Sequence, residues 1–133
     1  MKRAVVADSG PLFAIADEGD AYHGRAMQEL QLFVRDRREV LLAYPILVEA
    51  YSLILLRVGR HAALAWLAQI VSATFVDPLP EDYRWAMAQV QSLPDQSITL
   101  VDATVAAVAS RLGLQVWTYD HHFDVMRAAV WCR

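Results

Sequence analysis

A chain of 133 residues has the length of a single domain and can bury a core without disulfide staples. Its one cysteine, Cys132, provides neither an intrachain disulfide nor a thiolate cluster, and its longest apolar stretches fall short of the roughly 18 residues of a membrane span. A soluble protein of a reducing compartment, the cytoplasm, is therefore expected. The net charge of −3 gives no overall basic footprint for nucleic acid, while the hydrophobic share of 56% exceeds the usual ~45–50%, so a second chain is expected to cover some apolar surface.

The basic start Met1-Lys2-Arg3 is followed only by Ala4 to Ala7 before Asp8, too short an apolar run for a signal peptide. Residues 4–7 read as a buried strand broken by Ser9-Gly10-Pro11, with Pro11 suited to the first turn of a helix through Leu12 to Ile15. A helix is predicted over 21–37, capped by Asp20, with Met27, Leu30 and Val34 on its inner face and Arg35, Arg37 and Arg38 at its end. A strand over 40–44 precedes a helix over 45–58 that Gly59 stops, and a further helix spans 60–71. Beyond it come a strand at 74–76, helices over 81–93 and 99–112 with Gly113 as C-terminal cap, a strand over 115–119, and a short candidate strand at 129–131. Strands alternating with helices imply a mainly parallel sheet of four or five strands between two helical layers, a three-layer α/β/α domain over 1–133.

Four acids stand among residues that favour burial: Asp8 after Ala4-Val5-Val6-Ala7, Glu49 within Ile46-Leu47-Val48-Glu49-Ala50, Asp102 after Leu100-Val101, and Asp120 after Val116-Trp117-Thr118-Tyr119. An unpaired buried carboxylate costs several kcal/mol, comparable to the net stability of a domain. Three have a plain structural use: Asp8 as a helix cap, Asp102 in the capping box Thr99-Leu100-Val101-Asp102, and Asp120 in an Asx-turn. Glu49 has no basic neighbour at helical spacing, which leaves a distant arginine such as Arg57 or Arg111 as its alternative partner.

Strand ends and helix starts of a parallel sheet share one edge, where ligands bind, so topology can gather all four acids around a divalent cation. Hard oxygen donors suit Mg²⁺ or Mn²⁺. Setting these four of the 15 acidic residues aside leaves 11 against 12 basic ones, so the acidity concentrates at the site. Eleven of the 12 basic residues are Arg, suited to bidentate contact with phosphate or carboxylate. Neighbouring His121 and His122 are expected to diverge and not to share a metal, and neither His23 nor His61 has ligand spacing around it, which speaks against zinc. Trp66, Trp85, Trp117 and Trp131 are assigned to the core or an interface.

These motifs occur in the order found in a known family. Val6-Ala7-Asp8-Ser9-Gly10-Pro11-Leu12, Pro45-Ile46-Leu47-Val48-Glu49-Ala50, Leu100-Val101-Asp102-Ala103 and Thr118-Tyr119-Asp120-His121-His122-Phe123 together resemble a PIN-domain ribonuclease, specifically the VapC-like toxins of bacterial toxin–antitoxin pairs. The resemblance implies a PIN-like fold and an Mg²⁺- or Mn²⁺-dependent endoribonuclease leaving 5′-phosphate and 3′-hydroxyl ends. Asp8 and Asp102 would hold one or two ions, Asp120 would complete the coordination, and Glu49 would orient the attacking water. Ser9 and Thr118 would hold the carboxylates by hydrogen bonds. It also implies an RNA substrate, a cognate antitoxin and a homodimer, with the helix around Trp66 as a candidate covered surface. Where the family often carries a basic residue after its fourth Asp, this chain has His121 and His122.

Other classes fit less well. A dehalogenase-type phosphatase needs a second Asp where Gly10 stands, a receiver domain needs a late Lys while the chain's lysine is Lys2, and no GxGxxG or P-loop is present. The remaining alternative is a PIN-like domain that binds RNA or a protein without cutting.

Overall fold

The computed structural model describes residues 3–132, which leaves Met1, Lys2 and Arg133 outside it. Eleven elements follow one another: β1 (Ala4–Ala7), α1 (Ser9–Ala16), α2 (His23–Arg35), β2 (Glu39–Ala43), α3 (Tyr44–Arg57), α4 (Arg60–Ile70), β3 (Thr74–Val76), α5 (Pro80–Ser92), α6 (Leu100–Leu112), β4 (Gln115–Trp117) and α7 (His122–Val125). The four strands pair in parallel in the order β3-β2-β1-β4, flanked by helices. β1 is buried along its whole length, as a strand covered on both faces must be, and its uninterrupted Ala-Val-Val-Ala composition reflects that.

The chain runs outward from β1 through β2 to β3, then returns to the other side of β1 as β4. The direction of winding therefore reverses between β1 and β4. A crevice opens beyond the carboxyl ends of two adjacent strands at such a point. Asp8 follows β1 directly, and Thr118 to Asp120 follow β4. The helices α3 and α6 run back against the strands, so their N-terminal ends, with Glu49 in the second turn of α3 and Asp102 in the first turn of α6, face the same edge.

Local chemistry explains the boundaries. Pro45 sits in the first turn of α3, and Gly59, at φ 128° and ψ 174°, occupies backbone space closed to residues with a Cβ, separating α3 from α4. Thr99 caps α6: its hydroxyl accepts the Asp102 N–H at 3.0 Å while the Asp102 carboxylate accepts the Thr99 N–H at 3.4 Å. Helix α6 is buried from Asp102 through Ala109, and its alanines let α5 approach closely. The core unites Val5, Val6, Phe33, Ile46, Ile54, Val105, Val116, Trp117 and Phe123, each side chain contributing about 1.5–3 kcal/mol by its removal from water.

Several sequence expectations are corrected. Asp20 is not the cap of α2; it accepts the Tyr22 N–H at 2.9 Å in a turn, and the helix starts at His23. The inner face of α2 is Ala26, Glu29 and Phe33, while Val34 is 73% exposed: the apolar stripe is rotated by one residue because Glu29 is a buried acid. β4 ends at Trp117 because the Thr118 hydroxyl turns to accept the Asp120 N–H at 3.0 Å. A fifth strand reduces to one parallel bridge between Val116 and Val130, and α7 was not foreseen. Trp66 is buried in the core, while Leu64 on the same helix is exposed. Among the described residues, no helix is long and apolar enough to cross a membrane.

Candidate active site

Asp8 occupies the N-cap position of α1, yet its side chain caps nothing. Its Oδ2 accepts the Thr118 hydroxyl at 2.8 Å across the β1–β4 junction. Its Oδ1 is buried without a partner. Ser9, the next residue, donates to Glu49 Oε1 at 2.5 Å, tying the start of α1 to α3. Asp102, anchored through the capping box, completes a triplet: one oxygen from each of Asp8, Glu49 and Asp102 lies within 4.8 Å of the others.

Asp120 lies outside this triplet but lines the same open pocket of about 440 Å³ with Asp8, Asp102, Tyr22, Arg57 and Tyr119. Its Oδ1 accepts the His122 N–H at 2.9 Å, so the Asx-turn anticipated from the sequence is present too. Thr118 links the two acids, donating to Asp8 and accepting from the Asp120 amide.

The electrostatics follow from this crowding. Burial, with repulsion from Asp102 and Glu49, pushes the Asp8 carboxyl up to about 7 against the pull of the Thr118 hydrogen bond. Asp102 is raised mainly by burial, with repulsion from Asp120 and Glu49 adding to it. No Arg or His forms an ion pair with Asp8, Glu49 or Asp102 among the described residues. Arg111 instead engages Asp82 at 2.9 Å, and Arg57 lies over the Phe13 ring, 5.6 Å from its centroid. Neither arginine is the partner of Glu49. Three clustered carboxylates, one with a naked buried oxygen, fit a hard divalent cation by their donor chemistry.

His121 and His122 depart from expectation. Their rings are 4.3 Å apart, and both turn Nδ1 back toward Asp120 Oδ1, at 3.8 and 3.1 Å, the shorter contact lying outside hydrogen-bonding geometry. With Asp120 they form a second group whose donor atoms lie within 4.8 Å of one another. Adjacency in sequence did not separate them because a shared carboxylate draws both imidazoles in.

Sequence reasoning passed over Glu29, which is 2% exposed. It accepts Trp117 Nε1–H at 3.0 Å and the Tyr119 hydroxyl, and pairs with Arg25 at 3.4 Å. An acid three residues beyond Ala26 and four before Phe33 was the available signal.

No protein-family model matches the chain, and no curated protein matches it by sequence. Solved structures do. VapC20 of Mycobacterium tuberculosis, described as a sarcin-ricin loop cleaving toxin, superposes with a TM-score of 0.84 at 23% identity, over 97% of this chain and 99% of that one. VapBC2 from Rickettsia felis, bound to a DNA fragment from its promoter, gives 0.73 at 11% identity, and a toxin–antitoxin complex from Klebsiella pneumoniae gives 0.70 at 14%, each over 96% of both chains. With its parallel sheet, its winding reversal at β1 and its end-to-end superposition, the chain has the PIN-like fold of the VapC toxins.

Proposed function

We propose that this protein is a metal-dependent endoribonuclease, the toxin of a VapBC-type toxin–antitoxin pair. The observation that carries the reading is the triplet of Asp8, Glu49 and Asp102 carboxylates at the winding reversal, in no ion pair with an Arg or His among the described residues and with Asp8 Oδ1 buried and unbonded. Mg²⁺ or Mn²⁺, when bound there, supplies Lewis-acid polarisation of a phosphate and activation of water. Asp8 and Asp102 would hold the ion, and Asp120 would complete the set from the β4 side.

The chain's own residues do the positioning. Thr118 fixes one oxygen of Asp8 and leaves the other without a hydrogen bond, free to ligate. Ser9 fixes Oε1 of Glu49, so the second oxygen orients the attacking water or accepts its proton. Thr99 fixes Oδ2 of Asp102. Orientation by second partners keeps three mutually repelling groups in register before the ion arrives. The likeness to structures of toxin–antitoxin complexes supports an antitoxin partner for this chain. A homodimer and residence in the cytoplasm belong to the same proposal, the first resting on the apolar excess of the composition and the second on the single cysteine.

The test is cleavage of RNA by purified protein in Mn²⁺ and in EDTA, beside the Asp8→Asn variant. Cleavage confined to wild type with metal, leaving 5′-phosphate ends, is expected, with the variant down at least about a thousandfold for a group that touches the reacting centre. Equal cleavage by Asp8→Asn removes Asp8 from the mechanism. Metal-loaded wild type that binds RNA without cutting it returns the reading to a non-catalytic PIN-like domain.

A further inference from the structure

One wall of the carboxylate pocket is built from groups that metal binding does not use. Tyr22, 48% exposed, lines the pocket and stacks on Tyr119, with ring centroids 4.9 Å apart and planes 26° apart. Tyr119 is locked behind it. Its hydroxyl donates to the buried Glu29, which also accepts from Trp117, and the Arg25 guanidinium lies 4.4 Å from the Tyr119 ring centroid. Burial and the Glu29 carboxylate hold the Tyr119 phenol far above its usual ionisation range, so it stays a neutral donor.

Filling the volume beside β4 would require only an apolar ring. A carboxylate buried to this degree is costly to keep, and its two aromatic hydrogen bonds fix the angle of Tyr119, and through it Tyr22, at the mouth of the site. The pocket joins two recognition chemistries: acids that suit a phosphate-bound cation, and a flat aromatic surface. A nucleotide has both complements. The acids ringing the pocket oppose attraction of the RNA backbone, so stacking is the affinity term this wall can supply.

We propose that Tyr22, backed by Tyr119, is a stacking platform for an unpaired nucleobase next to the scissile phosphate, and that Glu29 is the positioning residue that sets it. The proposal rests on the RNA reading above. It adds a set of residues outside the acidic cluster and the position of one base against them.

The test uses full-length protein in millimolar Ca²⁺ and short single-stranded RNAs in which 2-aminopurine stands at successive positions, their integrity checked on a gel after titration. At one position the fluorescence of the bound probe is quenched by stacking. Tyr22→Ala removes the quenching and raises Kd about 5- to 150-fold, the range of a lost base–aromatic stack, while Tyr22→Trp restores both. Tyr119→Phe, which keeps the ring and cuts the Glu29 hydrogen bond, falls between, and serves if Glu29→Gln fails to fold. Removing the base at the quenched position weakens wild type and leaves Tyr22→Ala unchanged. Absence of binding, equal affinity of wild type and Tyr22→Ala, or equal loss in both on base removal overturns the proposal. Cleavage in Mn²⁺ is scored separately. Cleavage that persists with no stacking signal rejects the platform alone, and stacking without cleavage rejects the nuclease alone.

Discussion

Asp8 shows how a single side chain is made unstable in the service of a site. It was legible in the sequence as an acid ending an apolar run, and so were Glu49, Asp102 and Asp120, because burial of their neighbours is written in composition. Glu29 was not legible in that way: its partners Trp117 and Tyr119 lie 88 and 90 residues away, and only the fold brings them together. Since the folded-state value of Asp8 is raised from 3.8 to about 7, it contributes nothing to stability below the unfolded value. It then destabilises the metal-free protein increasingly as pH rises, and fully above about 7. In EDTA, Asp8→Asn therefore melts above wild type near pH 8, by a difference on the order of a few kcal/mol, and the gap closes toward about pH 4. Thermal melts of the two proteins across that range check this. A constant gap would mean that the Asp8 carboxyl is not held up by burial.

Elements were easier to read than faces. Breakers and caps place most boundaries within two residues, since Pro45, Gly59 and Gly113 act on their own backbone whatever surrounds them. Faces depend on what packs against them, which local spacing does not encode: Val34 has core spacing in α2 yet is exposed, and the strand-favouring run of β4 continues two residues past its end at Trp117. The Thr99–Asp102 box has a structural and a chemical use at once, because Asp102 both accepts the Thr99 N–H and offers an oxygen to the carboxylate cluster. Thr99→Ala is expected to cost about 1 kcal/mol of stability by chemical denaturation and to weaken metal binding as Asp102 loosens. Gly59→Ala should cost about 1–3 kcal/mol, a backbone effect, since a Cβ there meets no neighbouring atom and only φ 128° opposes it. A Gly59→Ala protein as stable as wild type would show that the junction of α3 and α4 relaxes freely.

At the scale of the molecule, the apolar excess noted in the composition reappears as exposed Val48, Tyr83, Met87 and Leu100 on α3, α5 and α6, the last three around a groove floored by Pro45, Val101 and Thr104. A homodimer over this surface is expected, with Met87→Asp shifting light scattering toward monomer; a wild-type monomer at high concentration would contradict it. The whole account turns on an ion among the carboxylates, and a titration of Mn²⁺ followed by the paramagnetic resonance of the free ion measures that directly. Wild type should withdraw Mn²⁺ saturably, more tightly near pH 8 than near pH 6 because the acids must first lose their protons, and Asp8→Asn should lose most of that uptake. Free-ion signal rising identically with wild type, Asp8→Asn and buffer alone would contradict it.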